Sequence, residues 1–224
     1  MEFEEWEPVY ERILADFGFG RGADERARDA IAAHATAFDT ERLDCTGDVV
    51  AIAGAGPSLE SETEVARRAD AVFAASSAAD TLRETGVSVD CMVTDLDKTP
   101  RTARELTHEG VPVAAHAHGD NIPEIERWVP AFDAAHTLAT TQAEPTDSVF
   151  NFGGFTDGDR AAFLADAMGA DELVFAGWDF EDSSVDPSKE RKLRWAERLL
   201  YWLERRRNER FAVLDGRREN LELP

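Results

Sequence analysis

The stretch that decides the fold is Asp48-Val-Val-Ala-Ile-Ala53 running into Gly54-Ala-Gly-Pro-Ser58. Five apolar residues in succession fit a strand covered on both faces. The glycines and proline break that run, and a helical pattern then continues to Ala69. Strand, glycine turn and helix together are the opening unit of a parallel α/β sheet.

The same alternation repeats downstream. Ala71–Ala75, Asp90–Val93, Val111–Ala115, Thr137–Thr140 and Glu172–Ala176 read as further strands. Helices are expected over 78–84, 100–109, 122–128, 159–168 and 187–207, and Phe211–Leu214 reads as a last edge strand. The fold class is therefore α/β, a mostly parallel Rossmann-like sheet flanked by helices. Upstream, Trp6, Val9, Tyr10, Ile13, Leu14 and Phe17 recur at helical spacing, and Asp24 reads as the N-cap of a second helix to about Thr36. The expected organisation is a small helical segment over 1–45 and a catalytic α/β domain over 46–224.

Composition narrows the function. The 224 residues are 43% hydrophobic, enough for a real core, and no apolar run is long enough to span a membrane. The first residues are acidic and show no signal peptide, so a cytoplasmic location is expected. Cys45 and Cys91 form no metal knuckle and read as buried free thiols. The formal charge is -22, which argues against a nucleic-acid partner. Acidic, lysine-poor surfaces suit molar salt, where repulsion between carboxylates is screened. We therefore expect the melting temperature to fall between about 1 M and about 50 mM KCl; an unchanged value would contradict the halophilic reading. The chain holds only three lysines, Lys98, Lys189 and Lys192, and their scarcity makes a task for each more plausible.

Chemistry-bearing residues cluster just after the strands. In open parallel sheets that is where ligands bind. Gly54-Ala-Gly-Pro-Ser58 permits close approach of a phosphate to free amides at a helix start, although it lacks the complete dinucleotide or P-loop pattern. Thr94-Asp-Leu-Asp97 places two carboxylates two residues apart, a pair that a hard cation such as Mg²⁺ would neutralise. His116-Ala-His-Gly-Asp120 suits either a transition metal or an Asp120 ligand to the same Mg²⁺ with histidines on phosphate. In Asn151-Phe-Gly-Gly-Phe-Thr-Asp-Gly-Asp-Arg160, Thr156 or Asp157 caps a helix and Arg160 sits in its first turn, while Phe152 and Phe155 either flank a flat ring or fill the core. Lys189 and Lys192 open the last long helix, within reach of triphosphate oxygens.

Taken in order, Gly54-x-Gly-Pro-Ser-Leu-Glu60, Thr94-Asp-Leu-Asp97, His116-Ala-His-Gly-Asp-Asn121, the 151–160 string and Gly177-x-Asp-Phe180 resemble the archaeal 6-hydroxymethyl-7,8-dihydropterin pyrophosphokinase family. That family has the domain of unknown function 115 type of core and is distantly similar to thiamine pyrophosphokinase. The resemblance runs from about Asp48 to Leu203. It implies Mg²⁺-dependent transfer of diphosphate from ATP to a pterin hydroxymethyl group, with AMP released, in archaeal folate-type or methanopterin-type biosynthesis. It further implies Asp95, Asp97 and Asp120 on Mg²⁺, and Gly54, Gly56, Ser58 and Asn121 on the nucleotide. Arg160, Lys189 and Lys192 would steady phosphates, and His116 or His118 would assist the hydroxyl or hold a phosphate oxygen. Asp157 or Asp179 would face the pterin edge, with Phe152 and Phe155 against its ring. A homodimer is left open. Rival readings are a metal-dependent hydrolase built on His116, His118 and Asp120, a non-catalytic nucleotide-binding module, and a thiamine-directed kinase.

Overall fold

The computed structural model describes residues 1–224. Six strands form one sheet: β1 (Val49–Ala53), β2 (Ala71–Ala75), β3 (Cys91–Thr94), β4 (Val113–Ala117), β5 (Thr137–Thr141) and β6 (Glu172–Ala176). Every pairing is parallel, in the order β5-β4-β3-β2-β1-β6. The alternating pattern thus produces the expected α/β architecture, with an entirely parallel sheet.

Sequential crossovers build the sheet outward from β1 in one direction. Their helices are α3 (Leu59–Arg68), α4 (Ala78–Glu84), α5 (Pro100–His108) and α6 (Ile122–Trp128). All four share one apolar cluster with Ala51, Ala53, Val72, Ala74, Met92 and Ala115. Alternate strand residues, Val50, Ile52, Phe73, Cys91, Val93 and Ala114, face the opposite cluster with α7 (Asp157–Ala167) and α8 (Pro187–Arg207). A period of two divides each strand between the two cores, so both faces must be apolar. The chain after β5 crosses back over the sheet through α7 and adds β6 beside β1. The direction of strand addition therefore reverses between β1 and β6.

Two further helices precede the sheet, α1 (Phe3–Phe17) and α2 (Arg21–Ala32). Trp6, Val9, Tyr10, Ile13 and Leu14 of α1 join the α7–α8 core, and Trp6 stacks on Trp202 with centroids 6.5 Å apart. Ala27 and Ile31 of α2 join the other core. The two helices straddle the sheet, so their connection passes over the carboxyl ends of its strands.

Two local expectations need correction. Asp24 does not cap α2, which starts three residues earlier. Its buried carboxylate instead accepts tertiary hydrogen bonds from the Tyr10 hydroxyl, Gly119 N and Gln142 Nε2, each at 2.8 Å. Phe211–Leu214 is no edge strand; Ala212–Leu214 is a 3₁₀ turn. Phe211 is drawn into the core against Phe175, 4.8 Å between centroids. Its amide donates to the Glu204 carboxylate and its carbonyl accepts from Arg218, so side chains satisfy the backbone groups that a strand would have paired.

Candidate active site

A cavity of about 900 Å³ opens at the carboxyl ends of the strands. It spans the β1/β6 reversal, where the turns after these two strands pack back to back. Gly54 N donates to Ala176 O at 2.8 Å and Gly56 N to Gly177 O at 2.9 Å. Ser58 N donates to Asp179 Oδ2 at 2.9 Å. A Cβ on Gly54 would lie 2.5 Å from Gly177 O, and one on Gly56 only 2.6 Å from the same oxygen. The glycines are therefore required by the neighbouring turn. The amides expected to cradle a phosphate at Gly54, Gly56 and Ser58 are already used inside the protein. Gly54 and Gly56 still line the cavity, but Ser58 does not.

The acidic pair lies after β3. Leu96 between the two aspartates adopts φ +69° and is fully buried, which turns Asp95 and Asp97 together toward the cavity. A left-handed leucine costs on the order of 1–3 kcal/mol, offset here by burial and by the bond from Leu96 N to Thr94 Oγ1. His118 Nε2 lies 3.4 Å from Asp95 Oδ2. Burial opposes charge on Asp95, but hydrogen bonds from His118 and Asp97 and the Arg160 charge outweigh it and hold this carboxyl well below the usual range. Desolvation and the hydrogen bond shared with Asp95 push Asp97 up to about 6. The opposite shifts reflect two like charges held close together, a repulsion that a cation would relieve.

Opposite stands the start of α7. Gly153 and Gly154 both take φ near +90°. A Cβ on Gly154 would meet Arg160 N at 2.7 Å, so that turn admits no side chain. Asp159 closes it by accepting from Thr156 N at 3.0 Å and from Phe155 N. This places Asp157 and Arg160 at the cavity. Arg160 Nη1 donates to Asp157 at 3.1 Å and Nη2 to Gln142 Oε1 at 3.2 Å. Gln142 in turn donates to Asp24, so a continuous network ties α1 and α2 to the site. Burial, then the nearby Asp95 charge, pushes Asp157 up to about 7 despite Arg160.

All three lysines of the chain line this one cavity with Asp95, Asp97 and Arg160. Burial, and then the charge of Lys98, lowers the Lys189 pKa. Four cations around paired carboxylates can hold a polyanion. Lys98 was not singled out as a ligand by its motif; lysine scarcity and its place beside Asp97 were the available signals.

Several expected site residues lie elsewhere or are otherwise engaged. His116 is buried beneath the cavity floor, bonded through Nδ1 to Thr140 Oγ1 at 3.0 Å, and burial holds its pKa well below the usual value. Asn121 spends both amide protons on the Asp95 and His116 carbonyls, each at 2.7 Å, and accepts from His118 N. It clamps two loops and has no donor left for a nucleotide. Phe152 lies outside the main cavity, stacked with Phe150 at 5.8 Å, whereas Phe155 lines the cavity but is almost wholly buried. Asp179 lines the cavity and braces the glycine turn. Asp120 shares the cavity but does not complete a metal cage with Asp95 and Asp97. No three His, Cys, Asp or Glu side chains converge closely enough to hold one ion. The same geometry separates His116 from a hydrolase site.

A hard divalent cation fits the pair nonetheless. Mg²⁺ commonly binds through one or two carboxylates, with substrate phosphates and water completing its shell. Asp95 and Asp97 would hold it.

The raised Asp157 pKa predicts a pH dependence of stability. An acid whose pKa is higher in the folded chain contributes fully below its unfolded value, near 4, and that contribution is lost as pH rises through about 7. Without divalent ions, wild type should therefore lose stability relative to Asp157→Asn between about pH 4.5 and about pH 7.5. Parallel melting curves for the two proteins would contradict this.

Comparison with known proteins points the same way. The family model described as 6-hydroxymethylpterin diphosphokinase MptE-like matches residues 32–184. A 6-hydroxymethyl-7,8-dihydropterin pyrophosphokinase from Methanothermobacter thermautotrophicus is 40% identical over 225 residues, covering 92% of this chain and 96% of the relative. Proteins of the same name from Pyrococcus furiosus and Methanocaldococcus jannaschii are 39% and 30% identical, each over 91% of this chain and covering 94% and 96% of those relatives. No helix is long and apolar enough to cross a membrane.

Proposed function

Since the chain belongs to the MptE-like 6-hydroxymethylpterin diphosphokinase family, we propose that its cavity transfers diphosphate from ATP to 6-hydroxymethyl-7,8-dihydropterin. The pterin hydroxyl oxygen forms a bond to the β-phosphorus, the bond from that phosphorus to the α,β-bridging oxygen breaks, and AMP departs. Such transfers depend on alignment and charge neutralisation more than on covalent help from the protein. Asp95 and Asp97 would hold Mg²⁺, which would withdraw charge from the phosphate oxygens. Lys98, Lys189, Lys192 and Arg160 grip the triphosphate. The nucleoside lies against the turn of Gly54 and Gly56 at the reversal between β1 and β6, the usual ligand crevice of such sheets. His118, beside the acidic pair, receives the hydroxyl proton.

The observation that carries this reading is the joint presence, in one cavity, of the acidic pair and all three lysines. The test uses ATP labelled separately at the α- and γ-positions. With Mg²⁺ and the pterin, the γ-label should appear in the pterin diphosphate and the α-label in AMP, one for one, and chelation should stop both. Formation of ADP with a pterin monophosphate, or hydrolysis without transfer, would overturn it.

A further inference from the structure

We propose that the pterin ring binds at the β4–β5 end of the cavity, beneath the α1–α2 loop, with Phe19 against its face and Asp120 against its amino-pyrimidinone edge. This placement rests on the diphosphate-transfer reading.

In an in-line displacement, the attacking and leaving oxygens lie on opposite sides of the transferred phosphorus. The sheet order is β5-β4-β3-β2-β1-β6. The nucleoside crevice lies over β1 and β6, and the acidic pair follows β3. The acceptor must then approach from beyond β3, over β4 and β5.

That end of the cavity is roofed by the N-terminal helices. Because α1 and α2 belong to opposite cores, the loop Gly18-Phe-Gly20 crosses above the strand ends. The start of α2 is held there by the bond from Gly119 N to Asp24, and a Cβ on Gly119 would lie 2.6 Å from that of Ala23. Phe19 lines the cavity yet is 43% exposed, one of only two large hydrophobic side chains left so open. Its ring stacks near-parallel on Phe17, 5.3 Å between centroids, and Phe17 leans on Phe155. A backed aromatic with one open face suits a flat heterocycle.

The amino-pyrimidinone edge of a pterin offers two parallel N–H donors, which match the two oxygens of one carboxylate. Among the other aspartates at this cavity, Asp95 and Asp97 form the pair assigned to the cation, and Asp24, Asp157, Asp179, Asp182 and Asp186 already accept hydrogen bonds. Asp120 is exposed on the wall of the same cavity; its backbone amide donates a long bond, 3.5 Å, to His118 Nδ1, and its carboxylate accepts no hydrogen bond. The family match begins at residue 32, so Phe19 lies in a segment outside the matched core.

Steady-state kinetics test the placement. Phe19→Ala and Asp120→Asn should each raise the KM for 6-hydroxymethyl-7,8-dihydropterin about ten-fold or more. The KM for ATP should stay within about two-fold, and Phe19→Trp should restore the pterin KM. Both side chains are exposed, so melting temperatures should not move. An unchanged pterin KM in these variants, or an equal rise for both substrates, overturns the placement while wild-type turnover upholds the reaction. A wild type that releases no AMP with the pterin overturns both.

Discussion

Asparagine at position 95 is expected to lower turnover about a thousand-fold or more while leaving the protein folded. The substitution is nearly isosteric and keeps an oxygen where Asp97 N now donates at 3.2 Å. The backbone carbonyl of residue 95 still accepts from Asn121. What is lost is the carboxylate charge that lies beside His118 and, on the proposed reading, would hold the cation on the transferred phosphate. Asp95 is also the carboxylate kept ionised most strongly, whereas Asp97 titrates near 6 and is the weaker half of the pair. Asp97→Asn should therefore be the milder change. Circular dichroism and melting curves establish folding, and AMP release reads activity. Near-normal turnover in Asp95→Asn would remove the pair from the mechanism.

Alanine at Gly56 is the second large effect, and it acts on stability as well as binding. The added methyl would collide with the Asp179 carboxylate and the Gly177 carbonyl. Asp179 would have to release Ser58 N, unmaking the contact between the β1 and β6 turns. Overpacking together with an orphaned amide costs about 3 kcal/mol, or roughly 10 °C in a domain of this size. ATP affinity should fall with it, because the crevice wall moves. Gly22→Ala supplies the control, since its Cβ would meet only the end of the Arg26 side chain at 3.5 Å. A Gly56→Ala protein that melts with wild type would show that the two turns yield easily.

The sheet was readable because its strands are short, mostly apolar runs bounded by polar residues or glycine, and the period-two division between two cores leaves little room for another arrangement. The carboxylate pair was readable for a local reason, two aspartates at a strand end. Less accessible was anything set by contacts distant in sequence. Asp24 looks like a cap until Tyr10, Gly119 and Gln142 are seen around it. Gly54 and Gly56 look like a phosphate cradle until the turn after β6, more than a hundred residues away, takes their amides. His116 and His118 stand two apart in the chain, yet one is sealed beneath the floor and the other reaches the cavity. Asn121 is polar and flanked by motif residues, but its amide is spent on holding β3 and β4 loops together. Residue type and spacing bring such groups to the right edge of the sheet, and tertiary packing then decides which of them face the ligand.

The central claim is that Asp95 and Asp97 hold a divalent ion against the phosphates of a nucleotide lying over the β1/β6 turns. Crystals grown with Mn²⁺ and a non-hydrolysable ATP analogue test it most directly, because anomalous scattering locates the metal without assumption. A peak between the Asp95 and Asp97 carboxylates and the phosphates is expected, with the nucleoside beside Gly54 and Gly56. A metal bound at Asp120 and His118 without the pair, or a nucleotide seated at the β4–β5 end, would contradict it.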